Sequence, residues 1–162
     1  MEPIFTDDYF MQRALQEAAA AFEKGEVPVG AVVVAQDRII ARAHNLTEQL
    51  TDVTAHAEMQ AITAATHYLG GKYLQGCTLY VTLEPCLMCA GALYWSQISK
   101  VVYGASDPKR GGLSIFSQKD PLLKKVQNEA SNLPLHPKTQ VVGGVMANEA
   151  TQLLQDFFAK KR

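Results

Sequence analysis

Thr78-Leu79-Tyr80-Val81-Thr82-Leu83-Glu84-Pro85-Cys86-Leu87-Met88-Cys89-Ala90-Gly91-Ala92-Leu93-Tyr94-Trp95 changes its structural signal midway. Thr78–Thr82 is a β-branched and aromatic run of the kind found in strands covered on both faces. Pro85 suits the first turn of a helix, where its missing N–H costs nothing, and the pattern predicts a helix running to about Trp95. Val101-Val102-Tyr103-Gly104 then reads as another strand, so the helix joins two strands as a crossover.

Working outward, Phe10, Met11, Leu15, Ala18 and Phe22 recur at helical spacing, predicting a helix from Asp7 to Lys24 stopped by Gly25. Val29–Val34 and Arg38–Ala43 flank Gln36-Asp37 as a β-hairpin. A polar stretch from Asn45 to Thr54 leads into a helix from about Ala55 to Leu69, ended by Gly70-Gly71. Downstream, Asp107–Gln118 reads as a glycine-containing loop, Pro121–Glu129 as a helix, Thr139–Val142 as a short strand and Ala147–Lys160 as a closing helix. This order predicts a three-layer α/β/α sandwich on a mixed five-stranded sheet, in a single domain over residues 1–162.

Hydrophobic residues make up 48% of the chain and charged residues 19%, and no apolar run approaches the length of a membrane span. No membrane association is expected. Met1–Asp8 lacks the basic, apolar and small-residue sections of an export signal, so a cytoplasmic location is expected. The net charge of −1 is unevenly spread: residues 1–99 hold five basic and eleven acidic groups, and residues 100–162 hold ten basic and five acidic ones. The basic third suits phosphate if the fold gathers its charges, and equally suits a solvated face.

Of the three cysteines, two form the C-x-x-C of Cys86 and Cys89, a spacing that serves metal binding or redox chemistry. Cys77 reads as a small buried hydrophobe. His56-Ala57-Glu58 contributes an imidazole and a carboxylate. Two residues along a helix point about 200° apart, so a site using both His56 and Glu58 must lie off the helix end. Cys86 and Cys89 sit where unpaired N–H groups and the helix dipole favour thiolate. Two helix amino termini therefore converge on one ion, with His56, Cys86 and Cys89 as zinc ligands. Three protein ligands leave the fourth tetrahedral position to water, the mark of a catalytic centre. Glu58 is then the natural general acid and base. No second C-x-x-C completes a structural ribbon, and His44, His67 and His136 show no ligand spacing.

H-x-E followed by P-C-x-x-C is the known signature of zinc nucleobase deaminases. At these residues the chain resembles the cytidine deaminase-like superfamily, and within it the family of bacterial tRNA-specific adenosine deaminases. Glu26–Ala31, Thr54–Glu58, Leu79–Cys86, Met88–Ala92 and Val102–Ala105 carry the resemblance. It implies a cytoplasmic homodimer with one Zn²⁺ per subunit on His56, Cys86 and Cys89, and proton shuttling by Glu58. It further implies hydrolytic conversion of wobble adenosine to inosine in a tRNA anticodon stem-loop, with the base flipped into the pocket. Asn45 falls where the family places an asparagine on the purine, although a loop-capping role suits it as well. The resemblance implies that Val29 and Ala57 shape the pocket, though core packing explains Val29 equally. It implies RNA contacts from Asp107, Lys109, Arg110, Phe157, Lys160 and Lys161, although an amphipathic closing helix with a solvated basic tail explains the last three.

Three departures bear on the substrate. Leu93-Tyr94-Trp95 resembles the guanine deaminases of the same superfamily. Leu135-His136-Pro137 replaces an expected Asn-His pair, and Gly111-Gly112-Leu113-Ser114 replaces an alanine-rich loop. The rival readings are a guanine or other small-ring aminohydrolase and, from a different class, a catalytically idle zinc-stabilised RNA-binding subunit.

Overall fold

The computed structural model describes residues 4–114 and 134–162. Among them the chain forms α1 (Asp7–Glu23), β1 (Gly30–Ala35), β2 (Arg38–His44), α2 (Ala57–Leu69), β3 (Cys77–Leu83), α3 (Leu87–Ser96), β4 (Lys100–Ala105), β5 (Gln140–Val142) and α4 (Ala147–Lys160). The expected helix over Pro121–Glu129 and the end of the Asp107–Gln118 loop lie outside the described residues.

The sheet has five strands in the order β2-β1-β3-β4-β5. β1 is antiparallel to both β2 and β3, whereas β3, β4 and β5 run parallel. This is the mixed five-stranded sheet expected. β1 shows why its strand signal is unbroken. Ala31 and Val33 pack with α2 and α3 through Ala57, Ala61, Ala65, Ala90 and Leu93, while Val32 and Val34 pack with Phe10, Met11 and Ala14 of α1. Successive side chains point to opposite faces, and both faces are covered, so every position is apolar. Gln36 and Asp37 both adopt positive φ, as a two-residue hairpin turn matched to strand twist requires.

α1 is capped by Thr6, whose hydroxyl accepts from the Tyr9 N–H at 3.1 Å, and Asp7 and Asp8 occupy its positive end. α4 lies on the same side of the sheet, anchored by buried Ala150 and Phe157. Both site helices begin later than the pattern predicts. α2 starts at Ala57 with His56 as its N-cap, and α3 starts at Leu87 with Cys86 as its N-cap, leaving Pro85 outside the helix. Tertiary pairing explains the second shift: Cys86 bridges Gly111, and the Gly112 N–H donates to Pro85 O at 2.8 Å, holding this backbone extended.

Gly30 marks the closest approach of α1 to the sheet. A Cβ there would collide with Ala14 O and Ala18 N, both backbone atoms of α1. Overpacking usually costs about 1–3 kcal/mol, and backbone obstacles cannot turn aside as side chains do. Gly30→Ala is therefore expected to lower stability by about 3 kcal/mol or more, read as a Tm loss of about 10 °C by calorimetry.

Candidate active site

β2, β3 and β4 run in one direction, and their carboxyl ends at His44, Leu83 and Ala105 meet the start of β1 along a single sheet edge. Such an edge is where α/β sheets place ligands, because the following loops diverge and leave a crevice. The cavity here measures about 220 Å³ and is lined by Val27, Val29, Asn45, Thr47, His56, Ala57, Glu58, Leu83, Glu84, Cys86, Asp107 and Arg110. Drug-sized sites span roughly 300–1,000 Å³, so this one suits a single base-sized ring.

His56, Cys86 and Cys89 form the floor. The first two are extended N-cap residues, and Cys89 lies in the first turn of α3. Their donor atoms all lie within 4.8 Å of one another. His56 Nδ1 stands 3.6 Å from Cys86 Sγ and 3.5 Å from Cys89 Sγ. One ring nitrogen has one lone pair, so it cannot serve two thiols at once. A zinc ion with bonds of about 2.3 Å to sulfur and 2.0–2.1 Å to nitrogen spaces tetrahedral N and S ligands about 3.6 Å apart. The set therefore fits zinc.

Charge in the cluster is uneven. Hydrogen bonding from Cys89, with help from His56, lowers the Cys86 thiol to about 4. The bond to Cys86 and burial push Cys89 up, and the bond to Cys86 raises His56. Glu58, in the first turn of α2, is 4% exposed, and burial pushes its carboxyl up to about 7. It lines the cavity without belonging to the donor set, as a group that holds and releases protons must.

Asn45, Val29, Ala57, Asp107 and Arg110 all reach the cavity. Lys109 lines two adjoining hollows. One, of about 470 Å³, runs past Cys86, Leu87 and Gly111. The other, of about 630 Å³, is lined by Val27, Leu83, Asp107, Lys109, Arg110, Leu154 and Phe158. Phe157 is not brought there: it is buried, with its ring 5.7 Å from Phe22. Lys160 and Lys161 hold their ammonium groups over the rings of Phe22 and Phe157. Phe158, which is 48% exposed, is the aromatic of α4 that faces the hollow. A Phe-Phe pair does not announce which ring faces inward until the helix is seated.

Two buried carboxylates were not singled out by sequence reasoning. Glu26 accepts from the loop after β2, and Glu84 accepts from the Asp107 N–H at 3.4 Å, the Ser114 N–H at 2.9 Å and the Ser114 hydroxyl. Each braces one wall of the cavity. Their signal was faint, since Glu26 follows the charged Glu23-Lys24 and only its other neighbour, Val27-Pro28-Val29, is apolar, while Glu84 stands between Leu83 and Pro85; a buried carboxylate at either place demands partners.

Donor chemistry and a proton-holding neighbour in a base-sized cavity together point to a class, the zinc enzymes that activate water. Comparison with known proteins narrows it. Residues 5–105 match the cytidine and deoxycytidylate deaminase zinc-binding region, and the chain belongs to this deaminase family. It is 48% identical over 156 residues to the tRNA-specific adenosine deaminase of Aquifex aeolicus (strain VF5), spanning 96% of this chain and 95% of that one. A structure from studies of A-to-I editing by tRNA:A34 deaminases superposes with a TM-score of 0.75 at 43% identity, covering 90% of this chain and 99% of the other. The guanine deaminase of Bacillus subtilis gives a TM-score of 0.60 at 32% identity, covering 81% and 83%. Tyr94 and Trp95, the residues resembling guanine deaminases, do not line the cavity, and Trp95 is 77% exposed.

Proposed function

We propose that this chain, as one deaminase domain over residues 1–162, hydrolyses wobble adenosine to inosine in a tRNA anticodon stem-loop. The observation that carries the reading is the base-sized cavity opening into hollows lined by Lys109, Arg110 and Phe158. A free base needs no such approach. A nucleotide still joined to its neighbours does, and cations with an exposed ring are what phosphates and unstacked bases require. The identity to relatives named as tRNA-specific adenosine deaminases supports the same substrate.

In this reading His56, Cys86 and Cys89 hold one zinc per subunit. When bound, zinc supplies a Lewis acid that makes a water acidic enough to attack near neutral pH. Val29 and Ala57 shape the walls that grip the ring. Glu58 takes a proton from the attacking water and delivers it to N1 of the purine. A C6–O bond forms, Glu58 takes the remaining water proton from the new C6 hydroxyl and passes it to the amine, and the C6–N bond breaks to release ammonia and leave the 6-oxo group. Asn45 orients the nucleotide, and Asp107, Lys109 and Arg110 border the strand. The protein acts in the cytoplasm as a homodimer. Among the described residues, no helix is long and apolar enough to cross a membrane.

Purified protein incubated with an anticodon stem-loop, and separately with guanine, tests the reading. Inosine in the RNA with ammonia in equal amount is expected. Ammonia from guanine alone would overturn the assignment in favour of the small-ring reading.

A further inference from the structure

Glu26 is wholly buried in the turn between α1 and β1. Its carboxylate faces Asn45 Nδ2 at 3.3 Å and accepts from the Thr47 hydroxyl at 3.4 Å, the Glu48 N–H at 3.2 Å and the Gln49 N–H at 2.7 Å. A carboxylate accepts hydrogen bonds, so the amide atom of Asn45 turned toward it must be the nitrogen. Thr47 Oγ1 lies 3.3 Å from the same nitrogen and, having given its hydrogen to Glu26, accepts there too. The carbonyl oxygen Oδ1 is the amide atom left for the cavity that Asn45 lines.

An acceptor on that wall calls for a donor on the ligand. This step rests on the RNA reading proposed above. Inside an RNA strand, N1, N3 and N7 of adenosine accept, and its 3′ and 5′ oxygens are esterified. The donors are the 6-amine and the 2′-hydroxyl. The 6-amine is the leaving group and belongs beside Glu58 and the metal ligands. The 2′-hydroxyl remains, and it is the group that tells RNA from DNA. We propose that Glu26 is a positioning residue that locks Asn45 with its carbonyl oxygen toward the cavity, where it accepts from the 2′-hydroxyl of the target nucleotide. The pair thereby makes the site prefer ribose to deoxyribose.

The test uses two anticodon stem-loops that differ only in the sugar of the target nucleotide. Wild-type kcat/KM is expected to fall about 10- to 100-fold on the 2′-deoxy loop, the loss that accompanies an acceptor left unpaired. Glu26→Gln offers Asn45 a donor as well as an acceptor and lets its amide turn. The ribose-to-deoxyribose ratio should then drop toward one, through a loss on the ribose loop. Asn45→Ala leaves Glu26 its backbone donors and should collapse the ratio in the same way. A residue that merely braced the loop would slow both substrates alike and leave the ratio intact, and that result would overturn the lock. Equal wild-type rates on the two loops would overturn the hydroxyl contact while leaving the tRNA reading standing. No inosine from either loop would overturn that reading and this inference with it. Zinc content and Tm, measured alongside, identify a variant that fails to fold. Should Glu26→Gln fail in this way, the Asn45→Ala ratio decides the question.

Discussion

Glu58→Gln is expected to lower kcat by about 10²–10⁴-fold, the usual contribution of a positioned general acid and base. Glutamine keeps the shape of the side chain and loses the ability to carry a proton between water, ring nitrogen and amine. KM should change little, because the substituted amide still fills the wall of the cavity. Zinc content should also hold, since Glu58 lies outside the His56, Cys86 and Cys89 donor set. Stability should hold or rise. Glu58 is a buried carboxyl whose ionised form burial disfavours, and a neutral amide avoids that cost. The measurements are single-turnover inosine formation, metal analysis and calorimetry on the same preparation. A loss of only a few-fold would remove Glu58 from the proton path. Loss of zinc together with activity would make it a structural support for the metal instead.

The second large effect falls on metal retention. Cys89→Ala is expected to weaken zinc binding by more than about a hundredfold, since even outer-shell partners of a metal cost 10- to 100-fold when removed. Deamination should fall with it. Zinc held at a thousand times its Kd stabilises the folded chain by about 4 kcal/mol, so Tm should drop by about 10 °C. A chelator should reproduce the drop in wild type and add little to the variant. Cys77→Ala is the control. Cys77 is buried at the start of β3, burial raises its thiol pKa, and it takes no part in the donor cluster. Its loss should leave zinc content unchanged. Full zinc occupancy in Cys89→Ala, or equal zinc loss in both variants, would remove the three-ligand centre on which the proposed chemistry depends.

The strands and the candidate zinc donors were legible because their causes are local. Alternation between two covered faces makes β1 apolar at every position, and Gln36-Asp37 marks the hairpin turn. His-x-Glu and Cys-x-x-C state their chemistry by residue type and spacing. The helix starts were less legible: Cys86 and Pro85 are held extended by Gly111 and Gly112, more than twenty residues away. The terminal helix kept its expected bounds, yet Phe157 turned into the core and Phe158 toward the hollow. That choice depends on how α4 seats against Phe22 of α1, a contact between the two ends of the chain.

From its letters alone this protein declares a mixed α/β sandwich, a donor set suited to zinc and a carboxylate suited to moving protons, because short-range periodicity and ligand chemistry need no knowledge of distant neighbours. Folding alone settles that three strand ends and one strand start share an edge, and that buried Glu26 and Glu84 hold the loops after β2 and β4. It also sets the approach lined by Lys109, Arg110 and Phe158. Those features join residues far apart in the chain, and their geometry follows from how the helices pack on the sheet.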